Sequence, residues 1–118
     1  MPIDINRIAG DFSVSAQLSP PDFAELARLG ISSVINNRPD GEGGTVQPAD
    51  AEMRAAAEAA GLFYAYLPIS IAGFGEHEVL RMRALVGELP KPIHAFCCTG
   101  MRSENLYRAA GAAPHHNQ

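Results

Sequence analysis

Apolar and polar residues along this chain fall into two periods, and turn residues mark where one gives way to the other. From Phe12 to Leu18 the period is two. Phe12, Val14, Ala16 and Leu18 alternate with Ser13, Ser15 and Gln17, the pattern of a half-exposed strand. Ser19-Pro20-Pro21-Asp22 then reads as a helix start, with a hydroxyl cap, prolines where no amide hydrogen is needed, and an acid in the first turn. Phe23, Leu26 and Ala27 share one helical face, and Gly30 is placed to end that helix. Ile31 to Asn36 (ISSVIN) predicts a second strand, rich in β-branched residues. The stretch from Asn37 to Gly44 is too glycine-rich for regular structure. Pro48 opens a second helix with a small-residue face (Met53, Ala56, Ala57, Ala60), and Gly61 closes it. The near-continuous apolar run Leu62 to Ile69 predicts a third strand covered on both faces. Glu76 to Leu89 reads as a third helix, Pro92 to Phe96 as a fourth strand, and Ser103 to Ala110 as a fourth helix.

Four alternations of strand and helix imply parallel strands joined by right-handed crossovers. The expected fold is α/β, in three layers, with a four-stranded, mainly parallel sheet and helices on both faces. The 118 residues suffice for one domain, expected over residues 1–111, with a flexible tail at 112–118. No apolar run is long enough to cross a bilayer, and the opening MPIDINRI lacks the pattern of a secretory signal. The formal charge of -4 argues against a general nucleic-acid surface, which needs a basic stripe. Cys97 and Cys98 are adjacent and cannot staple a loop, so the expected home is a reducing cytoplasm. The exposed edges of so small a sheet leave room for a homodimer.

In open parallel sheets, ligands sit beyond the carboxyl ends of the strands. There lies Cys97-Cys98-Thr99-Gly100-Met101-Arg102-Ser103, between the fourth strand and the fourth helix. A cysteine facing a helix N-terminus with an arginine close by is favoured as thiolate, the nucleophilic form. Backbone amides from Cys98 to Arg102, with Gly100 free of Cβ restrictions, make a cradle for an oxyanion. Arg102 can fork onto two of its oxygens. One short segment thus offers nucleophile, cradle and charge clamp, where each residue alone would read as a buried thiol or a surface charge.

The string CCTGMRS, preceded by VINNRPDGE and LFYAYLPI, resembles the phosphatase-like family of bacterial beta-lactamase-hydrolase-like proteins, in the neighbourhood of cysteine phosphatases and rhodaneses. The resemblance runs from about Ile5 to Gly111. It implies a cysteine-phosphatase-like fold, a nucleophile at Cys97, an anion clamp at Arg102, and a hydroxyl at Ser103 that assists the thiolate as leaving group. Three departures stand out. Four residues separate Cys97 from Arg102, the rhodanese-like length, where the usual phosphatase loop has five. Phe96 stands where many phosphatases carry histidine, and the nearest such residue is His94. No aspartate follows the third strand in Leu67-Pro68-Ile69-Ser70-Ile71-Ala72-Gly73.

A poor leaving group needs a proton donor, worth roughly 10²–10⁴-fold in rate. Asp40 is the first candidate, because its loop leaves the second strand at the same sheet edge; Glu42 and His77 follow. Asp40 reads equally as a turn former in Pro-Asp-Gly. Arg38 either lends positive potential or pairs with a surface acid. Cys98 either resolves an oxidised Cys97 or fills the loop, and Gly41-Glu42-Gly43-Gly44 is a flap or a plain connector. His115 and His116 lack further ligands, so neither metal nor cofactor is expected. The leading expectation is a cysteine-dependent phosphatase acting on a small phosphate ester through a cysteinyl-phosphate. The alternatives are a sulfurtransferase carrying a persulfide on Cys97, favoured by the short loop and missing acid, and an anion-binding module with little turnover.

Overall fold

The computed structural model describes residues 3–112, which form one mixed sheet between two helical layers. The elements in chain order are β1 (Asn6–Ala9), β2 (Phe12–Ser15), α1 (Asp22–Arg28), β3 (Ser33–Asn36), a 3₁₀ turn (Gly44–Val46), α2 (Asp50–Ala59), β4 (Phe63–Tyr66), α3 (Glu76–Glu88), β5 (Ile93–Phe96) and α4 (Met101–Ala112). Strand order is β1-β2-β5-β3-β4, with β1 antiparallel and the rest parallel. The α/β class and the layering are as expected, but there are five strands rather than four. The extra one, β1, is half-exposed and polar at its start, so it carries no apolar alternation to announce it.

Alternation along the strands sorts the core. Phe12, Val14, Ile35, Ile93 and Ala95 pack with Met82 and Leu85 of α3 and Leu106 and Ala110 of α4. Val34 and Phe96 turn to the other face, against Phe23 and Leu26 of α1 and Met53 and Ala57 of α2. The central strand β5 is buried along its length, as are its neighbours β2 and β3. Burying these side chains, at about 1.5–3 kcal/mol each, holds fixed the strand end from which the loop at Cys97 departs.

Three local expectations are corrected. The run Leu62–Ile69 does not form a strand covered on both faces: β4 is an edge strand in which Phe63 is 58% exposed. Its apolar character comes from flanking Leu62, Leu67 and Ile69, which are buried, while the hydroxyls of Tyr64 and Tyr66 serve polar contacts. The Ser19 hydroxyl does not accept from a helix amide; it donates to the Asp22 carboxylate at 3.1 Å, which also accepts the Ser19 amide at 2.8 Å. Helix α4 starts two residues early, at Met101, because the Glu104 amide already donates to the Gly100 carbonyl at 3.0 Å. The expected tail lies outside the described residues beyond 112, as do His115 and His116. Among the described residues no helix is long and apolar enough to cross a membrane.

Candidate active site

Strand β5 delivers Cys97 to the carboxyl edge in the middle of the sheet, and both neighbouring strands brace the loop. The Asn37 amide, after β3, donates to the Phe96 carbonyl at 2.8 Å, and the Gln17 amide, after β2, donates to the Cys98 carbonyl at 3.2 Å. Gly100 turns the loop into α4 at φ +97°, and a Cβ there would lie 3.1 Å from the Ser15 carbonyl oxygen. Positive φ and close approach to β2 both call for glycine.

The Cys97 sulfur accepts the Gly100 amide at 3.0 Å. Burial pushes the thiol's pKa up, but hydrogen bonds from the amides of Ser103, Gly100 and Thr99, and from the Ser103 hydroxyl, outweigh it and bring the pKa below its ordinary value. Cys97 itself has no exposed surface. Its neighbour Cys98 is exposed. The hydroxyl of Ser103, one turn into α4, donates to Asn37 Oδ1 at 2.8 Å, and both residues are fully buried. Asn37 Nδ2 donates to the Leu67 carbonyl at 2.8 Å, which fixes the amide orientation and leaves Oδ1 facing Ser103.

Arg102 is held by its outer edge. Nη1 and Nη2 donate to the two Glu42 oxygens at 2.8 and 2.6 Å, and Nη1 also donates to the Ile69 carbonyl at 2.8 Å. A guanidinium has five N–H donors in a fixed fork. Three are thereby committed, and among the described residues nothing accepts from Nε–H or the second Nη2–H, which lie on the same edge. A tetrahedral anion can be gripped there bidentately. Glu42 also accepts from Arg38 Nε at 2.9 Å, while Arg38 Nη1 donates to Gln17 Oε1 at 3.1 Å. Hydrogen bonding from Arg102 foremost, with Arg38 adding, pulls the Glu42 carboxyl down to about 2 against the opposing effect of burial.

The segment Cys97–Ser103 thus gathers the thiol, three amides, the hydroxyl and the arginine. Thr99 Oγ1 accepts the Met101 amide at 3.3 Å, and the Met101 side chain is 66% exposed. Asp40 is placed differently. Its Oδ1 accepts the Asp50 amide at 2.7 Å and so opens α2, while its own amide donates to Tyr66 Oη at 2.8 Å. With the Glu42 amide donating to the Pro39 carbonyl at 3.2 Å, these contacts match its turn-forming reading. His77 sits exposed in the first turn of α3. His94 is buried between two serines, with Nδ1 2.7 Å from Ser13 Oγ and Nε2 2.8 Å from Ser15 Oγ. The glycine-rich loop is fastened to Arg102 through Glu42.

Sequence reasoning named Glu42 only as a weak acid candidate and missed Asn37, Gln17 and the Ile69 carbonyl. The one available signal was the polar pair Asn36-Asn37 directly after a β-branched run, where polar side chains are buried only with partners.

A mainly parallel sheet whose central strand ends in a thiol ringed by amides at a helix start, with an arginine five residues on, defines a phosphatase-like α/β domain. Comparison with known proteins agrees. Residues 4–113 match the model of the phosphatase-like domain of beta-lactamase hydrolase-like proteins, and the chain belongs to that family. A beta-lactamase hydrolase-like protein of Agrobacterium fabrum is 34% identical over 101 residues, covering 86% of this chain and 23% of the relative. The chain therefore spans about a quarter of that relative's length. A Neisseria meningitidis structure described as a candidate phosphatase superposes with a TM-score of 0.84 at 32% identity, covering 96% of this chain and 82% of that one. The structure of Tk-PTP shares the fold, with a TM-score of 0.64 at 19% identity over 94% of this chain and 82% of the other.

Proposed function

We propose that this domain is a cysteine-dependent phosphatase that hydrolyses a small phosphate ester through a cysteinyl-phosphate. The observation that carries the reading is the presence in one loop of a Cys97 sulfur that accepts the Gly100 amide and of Arg102, whose hydrogen bonds to Glu42 and Ile69 do not use its Nε–H. The thiolate attacks phosphorus, the P–O bond to the leaving oxygen breaks, and that oxygen keeps the electron pair. Loop amides and the Arg102 edge stabilise the charge on the equatorial oxygens, where preorganised donors act most strongly. Water then attacks the cysteinyl-phosphate, releasing phosphate and restoring the thiolate.

The reading assigns no step to Asp40, whose carboxylate caps α2. An ester with an acidic leaving group, such as an aryl phosphate, needs no proton donor and is the substrate to test first. Phosphate release from an aryl phosphate should be lost in Cys97→Ser; release that persists in the variant overturns the proposal. The interval of four residues between Cys97 and Arg102 favours sulfur transfer as the second reading. Thiocyanate formed from thiosulfate and cyanide, in place of phosphate release, would select it. Neither product would select an anion-binding module.

A further inference from the structure

Two guanidiniums share one carboxylate beside the loop at Cys97. Glu42 Oε1 accepts Arg102 Nη2 at 2.6 Å and Arg38 Nε at 2.9 Å, so the two arginines bracket a single oxygen. Arg38 is held from a second direction. Its Nη1 donates to Gln17 Oε1 at 3.1 Å, and the Gln17 amide donates to the Cys98 carbonyl at 3.2 Å. The side chain of Arg38 is 13% exposed and that of Arg102 15%, so water and salt screen neither charge fully. The loop also makes room for Arg38. Gly43 has φ −95°, which any residue can adopt, yet a Cβ there would stand 3.0 Å from Arg38 Nη2. At this position glycine leaves space for a cation.

The charges can be counted. Glu42 cancels one of the two arginines, and a Cys97 thiolate cancels the other. Without Arg38 the group would hold two negative charges against one positive, and would repel the dianion it has to bind. Asp40, two residues before Glu42, adds a further acid to the same loop, and the chain as a whole carries a formal charge of -4. No distant surplus of cations makes up the difference.

We propose that Arg38 is the charge-balancing residue of the anion cradle: held by Gln17 and Glu42, it keeps the Cys97–Arg102 loop able to take a dianion while the sulfur is a thiolate. The inference rests on the reading of that loop as the cradle of a phosphate ester. Arg38 acts through its field and needs no contact with the substrate. The alternative is a splint, in which Arg38 serves only to hold Glu42 against Arg102.

The test is calorimetric titration with inorganic phosphate at low salt. Arg38→Gln should weaken binding about ten- to thirty-fold, and added salt should narrow that gap. Arg38→Lys keeps the charge but loses the fork that spans Gln17 and Glu42, and should stay within about three-fold of wild type. In a Glu42→Gln background, loss of Arg38 should weaken binding by a similar factor, because a field acts whether or not Glu42 is charged. A splint gives the opposite pattern: no rescue by lysine, and no further loss once Glu42 is replaced. That pattern overturns the proposal, as does a wild type that binds no phosphate or an Arg38→Gln variant that binds it undiminished. Should the glutamine variant not fold, the lysine variant decides, since a folded Arg38→Lys with weakened binding sinks the charge argument. Binding needs no turnover. Phosphate held in an Arg38-dependent way by a protein that cleaves no ester would uphold the inference while the phosphatase reading fails. Ester cleavage with phosphate affinity indifferent to Arg38 would do the reverse.

Discussion

Replacing Glu42 with glutamine removes the charge that ties the loop after β3 to the site. Three charge-assisted hydrogen bonds end on this carboxylate, two from Arg102 and one from Arg38. A glutamine amide would turn an N–H toward a guanidinium that can only donate. The magnitude follows from the carboxyl's displacement, from 4.5 to about 2, caused chiefly by Arg102. At about 1.4 kcal/mol per decade the ceiling is about 3.4 kcal/mol. The Glu42 side chain is 22% exposed, and solvent screening reduces the expectation to about 1–2 kcal/mol. The folded value is depressed, so this stability is present above the ordinary 4.5 and is lost as pH falls through about 2. Urea denaturation of wild type and Glu42→Gln over that range is the assay. The variant should be less stable by about 1–2 kcal/mol at neutral pH, and the gap should close as the wild-type carboxylate is protonated. Equal stability at neutral pH, or a gap indifferent to acid, would refute the reasoning. Freed of its outer hold, Arg102 should also grip the substrate less well, with kcat for an aryl phosphate falling up to about 100-fold.

Other expectations follow from single contacts. Gly100→Ala forces a Cβ to within 3.1 Å of the Ser15 carbonyl at φ +97°, so it should cost about 1–3 kcal/mol in thermal unfolding and depress turnover; a silent substitution would contradict the loop geometry. Burial lowers the His94 pKa to about 4, so protonation favours the unfolded chain. Wild-type stability should therefore decline as pH falls from the ordinary 6.5 to about 4, and His94→Gln should lack that slope in urea titrations. Asp40→Asn keeps an oxygen for the Asp50 amide, so aryl phosphatase activity should change less than about three-fold, whereas loss on the roughly 10²–10⁴-fold scale would restore Asp40 as proton donor.

The α/β class, helix α3 and the loop Cys97–Ser103 were legible because each rests on local pattern: period, turn residues, and a chemistry-bearing string at a strand end. Strand β1 was not, since a short edge strand with one half-buried face needs no alternation, and its pairing with β2 is non-local. The edge position of β4 was hidden for a related reason. Apolar residues flanking a strand look the same in sequence as apolar residues within it. Within the site, the residue types were readable but their partners were not. Nothing in the spacing separates Asp40, which caps a helix, from Glu42, two residues later, which reaches Arg102; sixty positions of chain lie between that acid and its arginine. Asn37 became visible only when the fold brought Leu67 and Ser103 to opposite ends of one carboxamide.

Cys97 has no exposed surface while Cys98 beside it is open. Two adjacent sulfurs therefore face chemical reagents on unequal terms. A bulky maleimide meets Cys98 alone, whereas modification of Cys97 requires the resting arrangement to part, so its labelling rate counts opening events.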